Sequence, residues 1–381
     1  MKISGEKIWL NEKFVPASLS VEGGKIINIS QESRESDIDF GSNRVIPGLI
    51  DVHTHGYGGG DASDGDPDTI RNWVKYYPSE GVTTFLPGTV TRSEARLISA
   101  LRSIRCVIEE LRESGCICGA GIHGIFFQGP YTSHEFKGAY DPYLIQRPDV
   151  NQFKMFNEVS GHNIRLVGLA VEKDENHALL KYCVSEGIMV SMGHSGASFE
   201  EAEQAAKEGA LTITHCFNNM IGLHHREPGL PGAALSIDSI YAEVIADGVH
   251  IHPAVVKIIG RSKGKDKLIV ITDSSRYKGL PPGRYESVDR KVTIGSDGVG
   301  RLDSGKLAGS CVTLIDSVRN LMEIAGLPEA TAINAATSNP ANMLGIGDRK
   351  GYLAPGYDAD IAVYDDNYKI LQTFCMGQKM L

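Results

Sequence analysis

The sequence predicts an α/β protein: a (β/α)8 barrel of the TIM type, joined to a small β-sandwich domain built from the two ends of the chain. Three observations predict it. Eight short, nearly continuous apolar runs lie between residues 45 and 275, and helical patterns separate most of them. Strands buried on both faces and alternating with amphipathic helices form a parallel sheet covered by helices. Eight such units in about 230 residues is the size of one closed barrel. The third observation is at the ends, where the rhythm changes to short β patterns broken by Gly pairs and polar turns.

Taken in order, "KIWL" and "ASLSVEGGKIINIS" open the chain as a small antiparallel sheet. The barrel strands are expected at "VIPGLIDVHTHG", "TTFLPGTV", "GIHGIFFQGP", "IRLVGLAVE", "IMVSMGHS", "LTITHCFNN", "AEVIADGVHI" and "KLIVITDSS". Helices are expected at "RSEARLISALRSIRCVIEELRES", "ENHALLKYCVSEG", "SFEEAEQAAKEG" and "HPAVVKIIGRSKG", each with apolar residues at three- and four-residue spacing. The stretch "GYGGGDASDGDPD" at 56–68 reads as an exposed loop, and "RYESVDRKVTIGSDGVGRLDSG" as a hairpin-like insert after strand eight. "ADIAVYD" and "ILQTFCMG" return to strand patterns around an Asp-Asp-Asn turn. The predicted division is 1–48 plus 350–381 for the small β domain and 49–349 for the barrel.

The totals narrow the function. With 381 residues, 41% hydrophobic and 22% charged, the chain has the composition of a soluble globular protein. A net charge of −9 argues against a nucleic-acid-binding face. The seven cysteines form no CxxC, and Cys116 and Cys118 are the only close pair, so reduced thiols in a cytoplasmic protein are expected. "MKISGEKIWLNEKF" has no signal-type apolar centre, and no window reaches the roughly 18 apolar residues of a membrane span.

Polar residues gather where the barrel strands end. His53 and His55 close strand one, and residues two apart on a strand point to one side. His194 follows strand five, His215 strand six and Asp273 strand eight, while Gln128 closes strand three. Any one of these is more often a loop cap than a ligand. Several imidazoles and a carboxylate on one rim of one barrel predict a site for one or two divalent ions, Zn or Fe. A bound cation makes water a nucleophile near neutral pH. A carboxylate within hydrogen-bond reach then takes its proton and passes it to a leaving amine, the role expected of Asp273. A metal ligand or structural cap is the alternative for Asp273. His134, His162, His177 and His252 are expected in solvent, and His123 in the core or near the barrel floor. Arg226 in "HHREPGLPG" and His250 in "ADGVHIH" could hold a small anion, since Arg offers a planar fork for phosphate. A surface ion pair and a solvated imidazole are the plainer readings.

"VIPGLIDVHTHG", "GHS", "THCFNNM", "REPGLPGAAL", "IADGVHI", "ITDS" and "KLAGS" together resemble the N-acetylglucosamine-6-phosphate deacetylase family of the amidohydrolase superfamily. The resemblance runs nearly the whole length. It implies hydrolysis of the acetamide of N-acetylglucosamine 6-phosphate to glucosamine 6-phosphate and acetate, in a cytoplasmic homodimer whose partner subunit helps hold the phosphate. His194 and His215 then match metal ligands, and His53 and His55 a second metal position that only some members keep. Asp273 matches the general base and acid. Ala139, Tyr140, Asn218, Asn219, Arg226, His250, Leu307, Ala308 and Gly309 match substrate contacts. Two positions depart from the family. Gln128 stands where members carry a metal-binding Glu, and Tyr140 where many carry His. A neutral amide leaves the site one charge more positive, so a weakened enzyme or a sugar-phosphate-binding homologue is one alternative, and a deacetylase for the galactosamine epimer another. A cyclic-amide hydrolase or adenosine-type deaminase fits less well, because "LVGLAVE" has no lysine for a bridging carbamate.

Overall fold

A computed structural model of the chain describes residues 1–31, 36–286 and 291–380. Eight parallel strands form the barrel: Leu49–Thr54, Val82–Thr89, Ile125–Gln128, Ile164–Leu169, Met189–Met192, Ala210–Ile213, Tyr241–Ile245 and Leu268–Ile271. Each pairs with the next in sequence order. The ring closes between the eighth and first strands: Asp273 N donates to His53 O at 2.9 Å, and Thr272 Oγ1 donates to the Asp51 carboxylate at 2.6 Å. All eight expected strands are present, so the (β/α)8 expectation holds.

Two apolar layers hold it. Ile50, Val52, Leu86, Phe126, Leu166, Ile245, Ile269 and Ile271 fill the inside with Ala341, Met343 and Ile346. Side chains of the opposite pleat, such as Leu49, Phe85, Phe127 and Val244, meet the helices outside. The helix Glu94–Ser114 shows why the helices lie where they do. Leu97, Leu101, Ile104 and Ile108 fall on one face and are buried, and Gly115 ends the helix at φ 59°. Truncating one such core Leu to Ala costs about 2–5 kcal/mol.

The chain ends come together as a small β domain, as expected, with their strands joined in one continuous sheet. Lys2–Leu10 pairs antiparallel with Lys13–Glu22, which pairs with Lys25–Ser30. Arg44–Pro47 runs parallel to the first strand and antiparallel to Ile361–Tyr364, which turns into Ile370–Cys375. An ion cluster locks the late segment to the early one. Asp358 takes Lys25 at 2.5 Å, Lys350 at 3.0 Å and Arg349 at 3.2 Å, while Lys350 also meets Asp360. The insert after strand eight is three-stranded, Gly283–Glu286, Lys291–Ile294 and Gly300–Leu302, where a hairpin was expected. Within it residues 287–290 lie outside the described residues. All seven cysteines are free. Among the described residues no helix is long and apolar enough to cross a membrane.

Candidate active site

The strand ends place the polar residues together at the C-terminal rim. Gln128 is the last residue of its strand and shares the inward pleat with Phe126. His194, His215 and Asp273 each lie two residues beyond a strand, and all three take left-handed backbone, at φ 49°, 30° and 45°. Non-glycine residues held there cost of order 1–3 kcal/mol each and are retained where the surroundings fix them. His53 reaches the centre by a different device. Ile50 and Val52 already point inward, so a regular pleat would turn His53 outward. Pairing with the second strand shifts register between Asp51 and Thr54, and His53 packs against the Phe126 ring with centroids 4.6 Å apart. Gly88 supplies room for His55, since a Cβ there would lie 2.9 Å from the imidazole.

Two groups result. In the first, the Nε2 atoms of His53 and His55 are 3.1 Å apart, and Asp273 Oδ1 is 3.3 Å from each. One ligand atom from each of the three lies within 4.8 Å of the others, a donor set that fits a divalent cation. Their outer nitrogens are tied down: His53 Nδ1 donates to Glu243 Oε2 at 3.0 Å and His55 Nδ1 to Gly88 O at 2.8 Å. Each Nε2 is thereby turned inward. In the second group, His194 and His215 bring their Nε2 atoms to 3.1 Å, and His194 Nδ1 donates to Phe136 O. Gln128 completes it. Tyr140 Oη donates to Gln128 Oε1 at 2.9 Å, and Gln128 Nε2 stands 3.5 Å from His215 Nε2. His215 Nδ1 is buried without a hydrogen-bond partner among the described residues.

Charge divides the same way. Burial disfavours a protonated His53, but the Asp273 and Glu243 carboxylates beside it prevail and raise its pKa to about 10. Burial likewise works against an ionised Asp273, and the adjoining His53 and His55 hold it well below the ordinary carboxylate range. Burial pushes His194 down to about 4 and His215 well below its usual value, so both are neutral imidazoles.

These groups form the floor of a cavity of about 420 Å³, within the range of small-ligand sites. Ala139, Tyr140, Asn218, Asn219, His250, Leu307, Ala308 and Gly309 line it with His55, Gln128, His194, His215 and Asp273. The Asn218 side-chain nitrogen is buried there with no partner among the described residues. His250 Nδ1 donates to Asp247 at 2.6 Å. Two expected residues are placed differently. His53 is fully buried behind the floor. Arg226 is exposed, bonded to His225, and is not among the lining residues of this single chain. His134, His162 and His252 are exposed as expected, but His177 is half-buried and bonded to Glu208. His123 lies half-buried before the third strand, where burial and Arg165 lower its pKa to about 4.

The sequence reading missed Glu243 and Asp51. An acidic residue inside an apolar strand, as in "YAEVI" and "LIDVHT", is the signal that could have found both. It also missed Arg92, Ser275, Arg276 and Lys306, which line the cavity from loops.

A parallel barrel with histidines and an aspartate at its C-terminal rim defines a metal-site hydrolase of the amidohydrolase class. The chain belongs to the amidohydrolase family, whose model matches residues 44–380. It is 36% identical to the N-acetylglucosamine-6-phosphate deacetylase of Bacillus subtilis, over 96% of this chain and 93% of that one. It is 34% identical to the N-acetylgalactosamine-6-phosphate deacetylase of Escherichia coli O157:H7, over 92% and 90%. Its fold superposes on an N-acetyl-D-glucosamine-6-phosphate deacetylase variant from Mycobacterium smegmatis, solved in complex with N-acetyl-D-glucosamine 6-phosphate. The TM-score is 0.92 at 27% identity, covering 100% of this chain and 99% of that one.

Proposed function

We propose that this chain hydrolyses the acetamide of N-acetylglucosamine 6-phosphate, releasing acetate and glucosamine 6-phosphate. The observation that carries the proposal is Asp273, half-buried beside two imidazoles at the floor of a sugar-sized cavity that also presents the Asn218 side-chain nitrogen, unpartnered among the described residues. The resemblance to deacetylases of both hexosamine epimers supports the same chemistry.

The residues divide the work. Asp273 is ionised and takes a proton from the attacking water, then returns it to the leaving amine. A divalent ion, Zn or Fe, when bound, lowers the pKa of water and polarises the amide carbonyl. His53, His55 and Asp273 are the residues fitted to hold it, with His194, His215 and Gln128 across the floor. Tyr140 stacks on His194 with centroids 4.8 Å apart, which fixes its hydroxyl over Gln128 at the mouth of the group. Asn218, Asn219, His250 and Leu307-Ala308-Gly309 contact the sugar and its phosphate, with Ala139 beside them. Arg226 reaches a phosphate from the partner subunit of a homodimer. In this reading residues 1–48 and 350–381 form the small domain, residues 49–349 the barrel, and the enzyme is cytoplasmic.

The test is acetate release from N-acetylglucosamine 6-phosphate by protein loaded with Zn or Fe. Release is expected. Release from the galactosamine epimer alone would move the assignment to that sugar. Binding of either sugar phosphate with no acetate would favour a sugar-phosphate-binding homologue, the reading that Gln128 supports.

A further inference from the structure

We propose that Glu172 is a positioning residue for this site: its carboxylate clamps the turn after His194 and so sets the pitch of that imidazole and of the loop 136–140 against it. The proposal rests on the deacetylase reading for the reaction the site performs; the clamp itself is a matter of hydrogen bonds. The barrel strands do not contribute equally to the cavity. Among the described residues, seven of them lend at least one lining residue from their ends or the loops beyond. Strand four, Ile164–Leu169, lends none. It runs instead into a single helical turn, Val171–Lys173, and there Glu172 stands half-buried outside the cavity.

Three observations carry the clamp. The first is its geometry. Ser195 Oγ donates to Glu172 Oε2 at 2.6 Å, and Gly196 N donates to Glu172 Oε1 at 2.8 Å. Hydrogen bonds to a carboxylate are roughly twice as strong as neutral ones. Ser195 is buried, and its hydroxyl also accepts Ala197 N at 3.1 Å, so three consecutive residues are tied to one side chain. The second is what precedes the turn. His194 takes left-handed backbone at φ 49°, which a non-glycine residue keeps only where its surroundings fix it. Glu172 fixes the two residues that follow, and Ser133 N donates to the His194 carbonyl at 2.8 Å. The third is what packs on the turn. A Cβ on Gly196 would lie 2.8 Å from the Phe136 ring, so that ring is seated on the clamped turn. Phe136 also accepts His194 Nδ1 through its carbonyl, and Tyr140 of the same loop stacks on the His194 ring. A turn released from Glu172 therefore shifts the imidazole, its acceptor and its stacking partner together. Asp174, two residues on, is the natural control. It also accepts two N–H groups, from Leu179 and Leu180, but these belong to the helix Ala178–Ser185 and line no part of the cavity.

The experiment compares Glu172→Ala, Glu172→Gln and Asp174→Ala with the unaltered chain, all loaded with Zn, in acetate release from N-acetylglucosamine 6-phosphate. Misplacing a group at the reaction centre by about 1 Å costs on the order of 10²-fold in rate. Glu172→Ala is therefore expected to lower kcat about 10²-fold with KM nearly unchanged, since Glu172 lies outside the cavity. Glu172→Gln keeps an acceptor for Gly196 N and should recover much of that loss. Asp174→Ala should lower the unfolding midpoint and leave kcat in place. The second readout needs neither metal nor turnover. Amide exchange of residues 194–197, followed by mass spectrometry in metal-free protein, should quicken in Glu172→Ala and not in Asp174→Ala. An unchanged kcat in Glu172→Ala would overturn the proposal, as would a rise confined to KM. Equal losses of kcat in Glu172→Ala and Asp174→Ala would mark a merely structural role and overturn it too, as would a Glu172→Gln no better than Glu172→Ala. An unaltered chain without acetate release rejects only the deacetylase reading, while unchanged exchange in Glu172→Ala rejects the clamp.

Discussion

The barrel rim and the seam between the two chain ends both bury charge, and they handle it in opposite ways. At the seam, every charge has its complement. Asp358 is enclosed by Lys25, Lys350 and Arg349, and Lys350 by Asp358 and Asp360. At the rim, His215 Nδ1, the second Glu243 oxygen and the Asn218 side-chain nitrogen are buried without partners among the described residues, and four site residues, His194, His215, Asn219 and Asp273, take left-handed backbone. Satisfied buried ions keep a structure in register; unsatisfied ones are retained where a ligand completes them. The seam therefore serves folding and the rim serves chemistry, and substitutions should separate the two.

The largest separation is expected at Asp273. Asp273→Asn removes the proton acceptor and should lower kcat/KM by about 10²–10⁴-fold, with an unfolding midpoint close to the parent's. A fall in stability matching the fall in rate would blur the division. At the seam the reverse is expected. Asp358→Asn leaves half-buried Lys350 with one partner fewer and should cost roughly 1–3 kcal/mol by urea unfolding, with turnover retained in the folded protein. Acid sharpens this further. Burial tends to raise the Asp358 pKa, but Lys25 and Lys350 hold it below 3.8. A depressed carboxylate contributes its stability above its unfolded value, and that contribution disappears as pH falls through the lower folded value. Below about pH 4, the stability gap between the parent and Asp358→Asn should therefore narrow.

Smaller effects probe the supports. Glu243→Gln removes the charge that turns His53 inward and should weaken metal binding about 10- to 100-fold, read by competition with a chelator. Tyr140→Phe deletes one hydroxyl–amide hydrogen bond worth about 1 kcal/mol. The expected change in kcat is several-fold, and a loss as large as that at Asp273 would place the hydroxyl on the substrate.

The sequence shows the fold and the site unequally. Apolar runs and helix spacing are local signals, so all eight strands could be read, as could the residues just beyond their ends. The inward turn of His53 could not, because regular alternation from Val52 would send it outward and only a register shift reverses that. Glu243 is hidden for a related reason: nothing local to the apolar run "YAEVI" shows that its one acidic side chain turns to His53. The Tyr140–Gln128 bond joins a loop to a strand end twelve positions apart, and nothing in either stretch specifies it. Arg226 stands in a stretch that resembles the family's, and nothing in that stretch tells that the side chain lies outside the cavity lining.

The sheet that joins the two chain ends also sets the order of assembly during synthesis. Arg44–Pro47 leads directly into the first barrel strand, and its neighbour Ile361–Tyr364 is made more than three hundred residues later. At about 5–20 residues per second, the early strands wait on the order of a minute with one edge unpaired. The barrel can close in that interval, but the small sheet cannot. An arrested nascent chain ending before residue 361 should therefore expose the Arg44–Pro47 edge to proteases or chaperones, and release of the last strands should bury it.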